Sequence, residues 1–416
     1  MTGTRSSSGD RPCRACGASL HRSVADLGLS PLANAYVPAD RAHRGEMFHP
    51  LHAYVCEACY LVQLEAFETA EAIFSDYAYF SGFSAGWLAH AEAYVAAMQA
   101  RFGLGPGSRV VEVASNDGYL LQYVVARGIP ALGVEPAANV AAVARARGIP
   151  TEVAFFGAET ARRLTAAGHA ADLMAANNVL AHVPDIHDFV EGFRILLKAD
   201  GVATFEFPHL LRMIEQRQFD TIYHEHFSYL SLGVVSGILE AHGLRVFDVE
   251  VWPTHGGSLR VFACHASAAH PATPAVARVL AQERAGGLFE PAGYAAFAED
   301  VVAIKCATLA FLADLRLTGE TVCAYGAAAK GNTFLNYCGI GPELVRAVAD
   351  RSPHKQGTLL PGSRIPVVAP DALLALRPDY VLILPWNLKD EIASEMAAIR
   401  AWGGRFVTAI PRLTVF

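Results

Sequence analysis

Short apolar runs alternate with stretches of helical periodicity along most of the chain beyond residue 108. The apolar runs cover residues 109–113, 131–134, 172–175 and 201–207, and the alternation starts again with runs at 321–325, 344–349 and 380–384. Apolar runs of this length, each followed by a helical segment, are typical of strands in a parallel sheet. The pattern therefore predicts an α/β fold with two doubly wound, Rossmann-like units.

The length of the chain and its amino-terminal part indicate a third unit. A chain of 416 residues is too long for a single hydrophobic core, and its first 75 residues lack the α/β alternation. An aromatic segment and an alanine-rich helix lead into the first α/β unit. A stretch rich in Ala, Pro and Gly at residues 266–298 separates the two α/β units. We therefore place the three units at residues 1–75, 76–285 and 286–416.

Two Cys-x-x-Cys pairs mark the first unit, Cys13 with Cys16 and Cys56 with Cys59. Two such pairs supply the four thiolates of a tetrahedral zinc site. Two disulfides are the alternative, but the other four cysteines stand singly in apolar stretches, as reduced thiols do. We predict zinc, and since four thiolates leave no open position for a substrate, the predicted site is structural.

Composition excludes some partners without naming a function. The net charge of −7 and a pI near 6.1, with no basic run, argue against nucleic acid as a partner. Mean hydropathy is +0.27, yet no apolar stretch approaches the ~20 residues of a membrane span. We expect a soluble, cytoplasmic monomer that binds no membrane.

The turn after the first α/β strand is the candidate cofactor loop. Acidic Glu112 precedes it, and it reads Ala-Ser-Asn-Asp-Gly over residues 114–118. The next strand ends in Glu135, whose carboxylate can accept both hydroxyls of a ribose. An acidic loop repels a pyrophosphate and suits a cationic head group, so the loop favours S-adenosylmethionine over NAD. An Asn-Asp-Gly sequence is also an ordinary turn, which is the alternative.

Further residues are candidates for the same cofactor site. Phe155 and Phe156 are placed to pack on an adenine, although core packing is the more common fate of phenylalanine. Asn177, at the end of a later strand, is placed near the methionine end. The full predicted set comprises Glu112, Ala114, Asn116, Asp117, Gly118, Glu135, Phe155, Phe156 and Asn177.

A second glycine-containing turn begins the third unit. Gly326 follows a strand and precedes a helix, so backbone N–H groups there can hold a phosphate, with Lys330 and Asn332 nearby. The turn lacks the Gly-Lys-Ser/Thr ending of a P-loop, and its alternative role is close helix–strand packing. Lys355 adds a cation that suits a diphosphate, and Asn387 stands where a base or sugar would be contacted.

Five motifs occur in an order that resembles a known family. They are the four cysteines and the segments at residues 112–118, 220–227, 255–258 and 324–332. The chain resembles, over almost its whole length, the zinc-containing sugar C-methyltransferases that act on nucleotide-linked keto-deoxysugars. The resemblance implies a zinc-binding module, a class I S-adenosylmethionine methyltransferase domain and a carboxy-terminal Rossmann-like domain that binds the sugar nucleotide. One departure is Ala114, where such loops commonly have glycine.

The chemistry that the resemblance implies needs a base and a donor to an enolate oxygen. His226 is the candidate base, Glu225 a residue that orients it or binds the sugar, and Tyr223 a donor to the developing charge. The resemblance also implies a tyrosine from the segment after the zinc module, which is Tyr77 or Tyr79, with Tyr79 favoured as catalytic. Without the resemblance, the His-Glu-His triplet would be read as an ordinary loop, and it is a poor metal site.

We therefore expect an S-adenosylmethionine-dependent C-methyltransferase of a 4-keto sugar linked to dTDP or another nucleoside diphosphate. The alternatives are an NAD-dependent oxidoreductase that uses the Gly326 turn and an inactive sugar-nucleotide-binding protein. His224 is given no role. The residues expected to bind the sugar nucleotide are Tyr77, Tyr325, Gly326, Lys330, Asn332, Lys355 and Asn387.

Overall fold

The structure, a computed structural model, describes residues 11–71 and 81–416. An antiparallel sheet follows the first cysteine pair, with strand order β1-β3-β4-β10. The first three strands come from the amino-terminal module, but the last comes from the middle of the chain. The strands are β1 (Arg22–Ser30), β3 (His49–Val55), β4 (Val62–Leu64) and β10 (Ser228–Tyr229), and β2 (Val37–Pro38) lies outside the sheet.

A seven-stranded sheet forms the middle unit, in the order β11-β12-β9-β8-β5-β6-β7. β12 runs antiparallel to both of its neighbours, whereas the pairs from β9 to β7 are parallel. The predicted doubly wound sheet is confirmed. Its strands are β5 (Val110–Val113), β6 (Ala131–Val134), β7 (Thr151–Glu152), β8 (Ala171–Asn177), β9 (Leu197–Pro208), β11 (Leu244–Trp252) and β12 (Ser258–His265).

Helices pack on both faces of this sheet. Ser84 caps the first of them by accepting a hydrogen bond from the backbone N–H of Trp87, and Gly103 ends it at a left-handed φ of 63°. The helices are α1 (Ala85–Phe102), α2 (Leu121–Val125), α3 (Ala138–Ala146), α4 (Ala158–Ala166), α5 (Ile186–Leu196), α6 (Leu210–Glu215), α7 (Leu232–Ala241) and α8 (Pro274–Ala285).

The carboxy-terminal unit has a six-stranded sheet in the order β16-β14-β13-β17-β18-β19, with only the last pair antiparallel. The predicted run at 344–349 forms a strand only in its last two residues. The strands are β13 (Val322–Tyr325), β14 (Val348–Ala349), β16 (Val367–Val368), β17 (Tyr380–Ile383), β18 (Arg405–Thr408) and β19 (Thr414–Val415), besides β15 (Thr358–Leu359). The helices are α9 (Ala295–Thr318), α10 (Ala329–Cys338), α11 (Pro370–Leu376) and α12 (Lys389–Glu395).

The amino-terminal module contacts both α/β units. β10 of the middle unit extends its sheet, and β15 of the carboxy-terminal unit pairs with β2. One hydrophobic core runs through all three, since Leu51, Ile222 and Leu382 belong to the same buried cluster. The segment after β9 therefore lies where the three units meet.

In residues 11–71 and 81–416, no helix is both long and apolar enough to cross a bilayer.

Candidate active site and metal site

The four predicted metal ligands come together. The sulfur atoms of Cys13, Cys16, Cys56 and Cys59 all lie within 4.8 Å of one another. Cys13 and Cys59 approach to 3.5 Å between their Sγ atoms, as do Cys16 and Cys56. A disulfide requires about 2.05 Å, whereas the sulfurs around a zinc ion with bonds of about 2.3 Å stand ~3.8 Å apart. The geometry fits four thiolates around one zinc and not two disulfides.

Glu112 lies inside the middle sheet with no exposed surface. Neither of its carboxylate oxygens meets hydrogen-bond geometry with any residue in the described part of the chain. Burial raises its pKa well above the ordinary value, and the nearby Glu135 and Asp117 raise it further, against the effect of the Tyr119 hydroxyl. A buried carboxylate with unused acceptors fits a cationic ligand group, which S-adenosylmethionine has and NAD's pyrophosphate lacks.

The backbone of the cofactor loop is held in left-handed conformations. Ala114 has a φ of 52°, which explains why glycine is common at this position, because glycine adopts such a φ without strain. Gly118 has a φ of 78°, and a Cβ there would approach the Ile149 side chain to 2.3 Å. The loop therefore lies tightly against the helix and strand beside it.

Glu135 lies at the end of β6 and ties this loop to the next helix. One carboxylate oxygen accepts the backbone N–H of Asn116 at 2.9 Å, and the other accepts that of Ala137 at 2.9 Å. Burial raises its pKa, and these two hydrogen bonds oppose the rise. Each oxygen keeps a further lone pair, so the carboxylate can still accept ribose hydroxyls.

The side chains of Asn116 and Asp117 contact the chain segment that leads into α1. The Asn116 amide oxygen accepts the backbone N–H of Ser81 at 2.9 Å, and the Asp117 carboxylate accepts that of Gly82 at 3.2 Å. Arg147 also forms an ion pair with Asp117 at 3.2 Å. These two predicted cofactor residues thus position a segment beside the loop.

The two phenylalanines of the predicted adenine site have different surroundings. Phe156 packs edge-to-face on Phe189 and Phe193, so it belongs to the hydrophobic core. Phe155 is 38% exposed and keeps a free surface for a ring. Asn177 ends β8 beside Tyr119, and its buried side-chain oxygen has no hydrogen-bond partner among the described residues. Phe155 and Asn177 therefore remain available to a ligand, as Glu112 and Glu135 do.

Tyr223 and His226 form a hydrogen-bonded pair after β9. His226 Nδ1 lies 2.8 Å from the carbonyl oxygen of Thr221, which can only accept, so Nδ1 carries the proton. Nε2 therefore holds a lone pair, which accepts the Tyr223 hydroxyl at 2.8 Å. The two rings overlap, with centroids 3.9 Å apart. His226 is thus fixed as a neutral imidazole whose acceptor nitrogen points at Tyr223.

The surroundings of His226 oppose its protonation. Burial lowers its pKa well below the ordinary value, and the nearby His182, His255 and Lys330 lower it further, against the effect of the hydrogen bond to Thr221. The His182 ring stands edge-on to that of His226, with centroids 4.6 Å apart, and burial likewise lowers the pKa of His182 to about 4. His226 is therefore deprotonated and able to accept a proton at neutral pH.

Glu225 is buried, and its carboxylate points toward the zinc-binding module. Asn34 donates its amide to both carboxylate oxygens, at 2.8 and 2.9 Å. His224, the neighbouring residue, bonds through Nε2 to the carbonyl oxygen of Pro50 at 3.1 Å. The triplet around His226 is thus anchored on the amino-terminal module on one side.

Sequence reasoning gave no role to His255, which the structure brings to the same region. Its Nε2 lies 3.1 Å from the Asn178 amide, and its ring stands edge-on to Trp87. Asn178 and His255 both have a left-handed φ of 56°, and strained positions of this kind concentrate at functional sites. The signal in the sequence was the His-Gly-Gly-Ser run, which the resemblance includes.

A buried charge cluster behind His255 was also missed. Arg260 donates to Glu206 at 2.7 Å, and the His90 Nε2 lies 2.9 Å from the same carboxylate. Burial opposes ionisation of Glu206, but His90 and Arg260 outweigh it, so its pKa lies below the ordinary value. Thr254, next to His255, donates to Glu206 at 3.2 Å. The cluster therefore holds the base of the His255 loop.

The Gly326 turn packs against protein. A Cβ at Gly326 would approach Pro385 to 2.3 Å, and Tyr325 donates its hydroxyl to Glu395 at 2.8 Å. Asn332 is buried and donates to the carbonyl oxygen of Ala33 at 2.6 Å. These three predicted substrate residues have structural contacts in this arrangement, as the packing alternative supposed.

The two lysines predicted to bind the sugar nucleotide lie in different places. Lys355 donates to the carbonyl oxygen of Ala327 at 2.7 Å, which Tyr36 also contacts. Lys330 donates to the Asn387 side chain at 2.9 Å. Tyr77 and Tyr79, the remaining predicted residues, lie outside the described residues.

The position of Glu135 in the cofactor loop leads to a prediction about the affinity for S-adenosylmethionine. Glu135→Ala removes a charged acceptor for ribose hydroxyls and the bonds that shape the loop, so S-adenosylmethionine affinity should fall by about 1.5–3 kcal/mol. Calorimetry measures it, with Glu159→Ala on the exposed surface of α4 as the control. An unchanged dissociation constant, or tighter binding of NAD than of S-adenosylmethionine, would contradict this assignment.

Three family models match the chain in succession. They are a zinc binding domain over residues 13–74, a methyltransferase domain over 87–249 and a C-methyltransferase C-terminal domain over 253–411. The C-methyltransferase NovU of Streptomyces niveus is 38% identical over 96% of this chain and 95% of its own length.

Solved structures also resemble the chain. Magnesium protoporphyrin IX methyltransferase of Synechocystis PCC 6803, crystallised with S-adenosylmethionine, has 14% identity, covers 44% of this chain and 82% of its own, and gives a TM-score of 0.34. An S-adenosylmethionine-dependent methyltransferase of Mesorhizobium loti has 18% identity, with 42% and 99% covered and a TM-score of 0.34.

Proposed function

This chain belongs to the family of S-adenosylmethionine-dependent C-methyltransferases, and from that premise we propose that it methylates a carbon next to the ketone of a nucleoside-diphosphate-linked 4-keto deoxysugar. The proposal includes dTDP or another nucleoside diphosphate as the carrier. It rests on one observation above the others, the tautomer in which His226 carries its proton on Nδ1 and its basic Nε2 faces Tyr223.

The residues support an enolate route. The Tyr223 hydroxyl hydrogen first turns from His226 Nε2 toward the substrate carbonyl oxygen, which frees the Nε2 lone pair. Nε2 then takes the proton from the carbon next to the ketone, and the electron pair of the broken C–H bond moves onto the carbonyl oxygen as an enolate. His226 then carries a proton on each nitrogen, so Nε2–H donates to the Tyr223 oxygen, and the Tyr223 hydroxyl donates to the enolate oxygen. S-adenosylmethionine, when bound, supplies the electrophilic methyl group for the enolate carbon. Glu112, Glu135 and Phe155 are the residues that would hold it.

The positions of Glu225 and Asn34 support a sugar as the substrate. The buried Glu225 carboxylate accepts the Asn34 amide, and an ionised carboxylate offers about four lone-pair sites, which suits the hydroxyl groups of a sugar. Exchange of an amide hydrogen bond for a sugar hydroxyl at this carboxylate is a small change in energy, because both are neutral donors. We assign Glu225 to binding the sugar beside His226.

The NAD-dependent alternative loses its site, because Gly326 packs on Pro385 and the chain matches methyltransferases. The unit limits of 1–75, 76–285 and 286–416 and the monomeric state stay predictions. Sedimentation of the purified protein measures the latter.

A substrate panel tests the proposal. The protein is incubated with S-adenosylmethionine carrying a labelled methyl group and with a set of nucleotide-linked 4-keto sugars, and the products are analysed by mass spectrometry. We expect one of the sugars to gain a methyl group on carbon. Label on oxygen, or on the 4-hydroxy sugars included as controls, would contradict an enolate route.

A further inference from the structure

Lys330 lies on the face of α10 that packs on the catalytic segment. Residues three and four positions apart in a helix share a face, so Lys330, Thr333 and Phe334 point the same way. Thr333 donates to the carbonyl oxygen of Ile222 at 3.0 Å, directly before Tyr223. Phe334 packs on Phe219, with ring centroids 6.1 Å apart. The ammonium of Lys330 is therefore directed toward the segment that carries Tyr223 and His226.

The groups around this ammonium compensate its positive charge only in part. Nζ donates to the neutral side chain of Asn387 at 2.9 Å and lies 4.9 Å from the centre of the Trp386 ring. The nearby carboxylate of Asp220 accepts the Trp386 indole N–H at 2.9 Å through one oxygen, and its other oxygen has no hydrogen-bond partner among the described residues. Burial lowers the pKa of Lys330, which the Asp220 charge opposes.

Trp386 connects this lysine to the His255 loop. Gly256 has a φ of 94°, and a Cβ there would approach the Trp386 ring to 2.5 Å, so indole and loop are in close contact. His255, the preceding residue, is bonded to Asn178 at the end of β8. The Lys330 charge lowers the pKa of both His226 and His255, so the ammonium, the His255 loop and the Tyr223–His226 pair lie near one another although their residues are far apart in the chain.

His226, the candidate base, is weak because its pKa is lowered well below the ordinary value. A proton next to a ketone is far less acidic than an imidazolium, so the transfer to His226 leaves a strongly basic enolate oxygen unless a cation or donor stabilises it. Tyr223 is a neutral donor, which can give the oxygen one hydrogen bond but no positive charge. The reaction therefore needs a positive charge near the oxygen.

We propose that Lys330 is a catalytic residue, whose ammonium stabilises the enolate oxygen that forms when His226 removes the proton. The role rests on the proposed function. In the balanced step, the C–H pair becomes the enolate and its negative charge forms beside the ammonium, which keeps its protons.

Charge balance separates this role from binding of the diphosphate. A diphosphate diester carries two negative charges, whereas Lys330 and Asp220 together carry none when both are ionised. One ammonium beside one carboxylate is a poor site for a dianion. The Lys330–Asp220 pair suits a single negative charge that appears only during the reaction. The electrostatic field of the ammonium is then already in place, and the neutral pair does not attract anions in the ground state.

The test is Lys330→Gln, assayed by exchange of the substrate hydrogen in deuterated water with S-adenosylhomocysteine in place of the methyl donor. Loss of one preorganised donor to an oxyanion lowers a rate by about 10²–10³-fold, so we expect that fall in both exchange and kcat, with KM nearly unchanged. Lys330→Arg should recover part of the rate. Lys389→Gln, which removes an exposed lysine of the same unit, is the control.

The outcomes separate the two proposals. A raised KM with unchanged kcat and exchange would overturn the catalytic role and assign Lys330 to the diphosphate. Exchange at the wild-type rate would overturn it as well. No exchange by the wild-type protein with any keto sugar would instead overturn the proposed function, and the Lys330 role with it. Affinity for S-adenosylhomocysteine reports folding of each variant, and Lys330→Met is the second variant if glutamine perturbs it.

Discussion

His226→Asn should lower kcat by roughly 10²–10⁴-fold while S-adenosylmethionine and the sugar nucleotide still bind, because general-base help acts mainly in the transition state. Asparagine has no nitrogen that accepts a proton at neutral pH. Its side chain can still contact Thr221 or Tyr223, so the local fold should persist. Deuterium exchange at the carbon next to the ketone, run with S-adenosylhomocysteine, measures the proton transfer separately from methyl transfer.

A matched variant is Tyr223→Phe, which removes the hydroxyl that Nε2 accepts but leaves the base in place. We expect it to retain more exchange than His226→Asn, because it removes a donor and not the proton acceptor. If His226→Asn exchanges hydrogen as fast as the wild type, the base lies elsewhere, and Tyr79 or Glu225 becomes the next candidate.

Removal of zinc should unfold the amino-terminal module and abolish methyl transfer. Structural zinc contributes an apparent binding free energy of about 10–16 kcal/mol, which exceeds the total stability of most domains, about 5–15 kcal/mol. The loss reaches the catalytic segment through the contacts between the module and that segment, of which two are direct hydrogen bonds beside His226. The backbone N–H of Leu64 donates to the carbonyl oxygen of Phe227 at 3.1 Å, and Asn34 holds Glu225.

The measurement combines elemental analysis, which should give about one zinc per chain, with proteolysis and activity after chelation. Residues 13–59 should be cleaved before the α/β units. Cys56→Ser should behave like the chelated protein, and Cys306→Ser, at an exposed cysteine outside the site, should behave like the wild type. A metal-free preparation with full activity would rule out this coupling.

Local sequence patterns were enough to predict the secondary-structure elements, the zinc site and the position of Glu135 in the cofactor site. Strand length and apolar content depend on neighbouring residues, so β5, β6 and β8 could be predicted to within a few residues. The Cys-x-x-Cys spacing sets the geometry of each half of the zinc site, because each pair closes its own turn. The placement of Glu135 at a strand end likewise follows from the order of elements.

The tertiary structure decided which of the predicted residues meet. Asn116 and Asp117 carry suitable groups, but packing turns their side chains to Ser81 and Gly82. Tyr325 follows the predicted pattern of its loop, yet its hydroxyl bonds Glu395, since the face on which a strand side chain lies depends on the sheet.

The sequence by itself determined the metal ligands, the order of the three units and the segment that carries Tyr223 and His226. Only the tertiary structure placed Lys330 and His255 around that segment and fixed the proton of His226 on Nδ1. The physical reason is that the tautomer follows from the folded conformation of residues 221–226, and that the pKa of His226 depends on His182, His255 and Lys330, which are far away in the chain. Those contacts form through the shared core of the three units, and no local pattern encodes them.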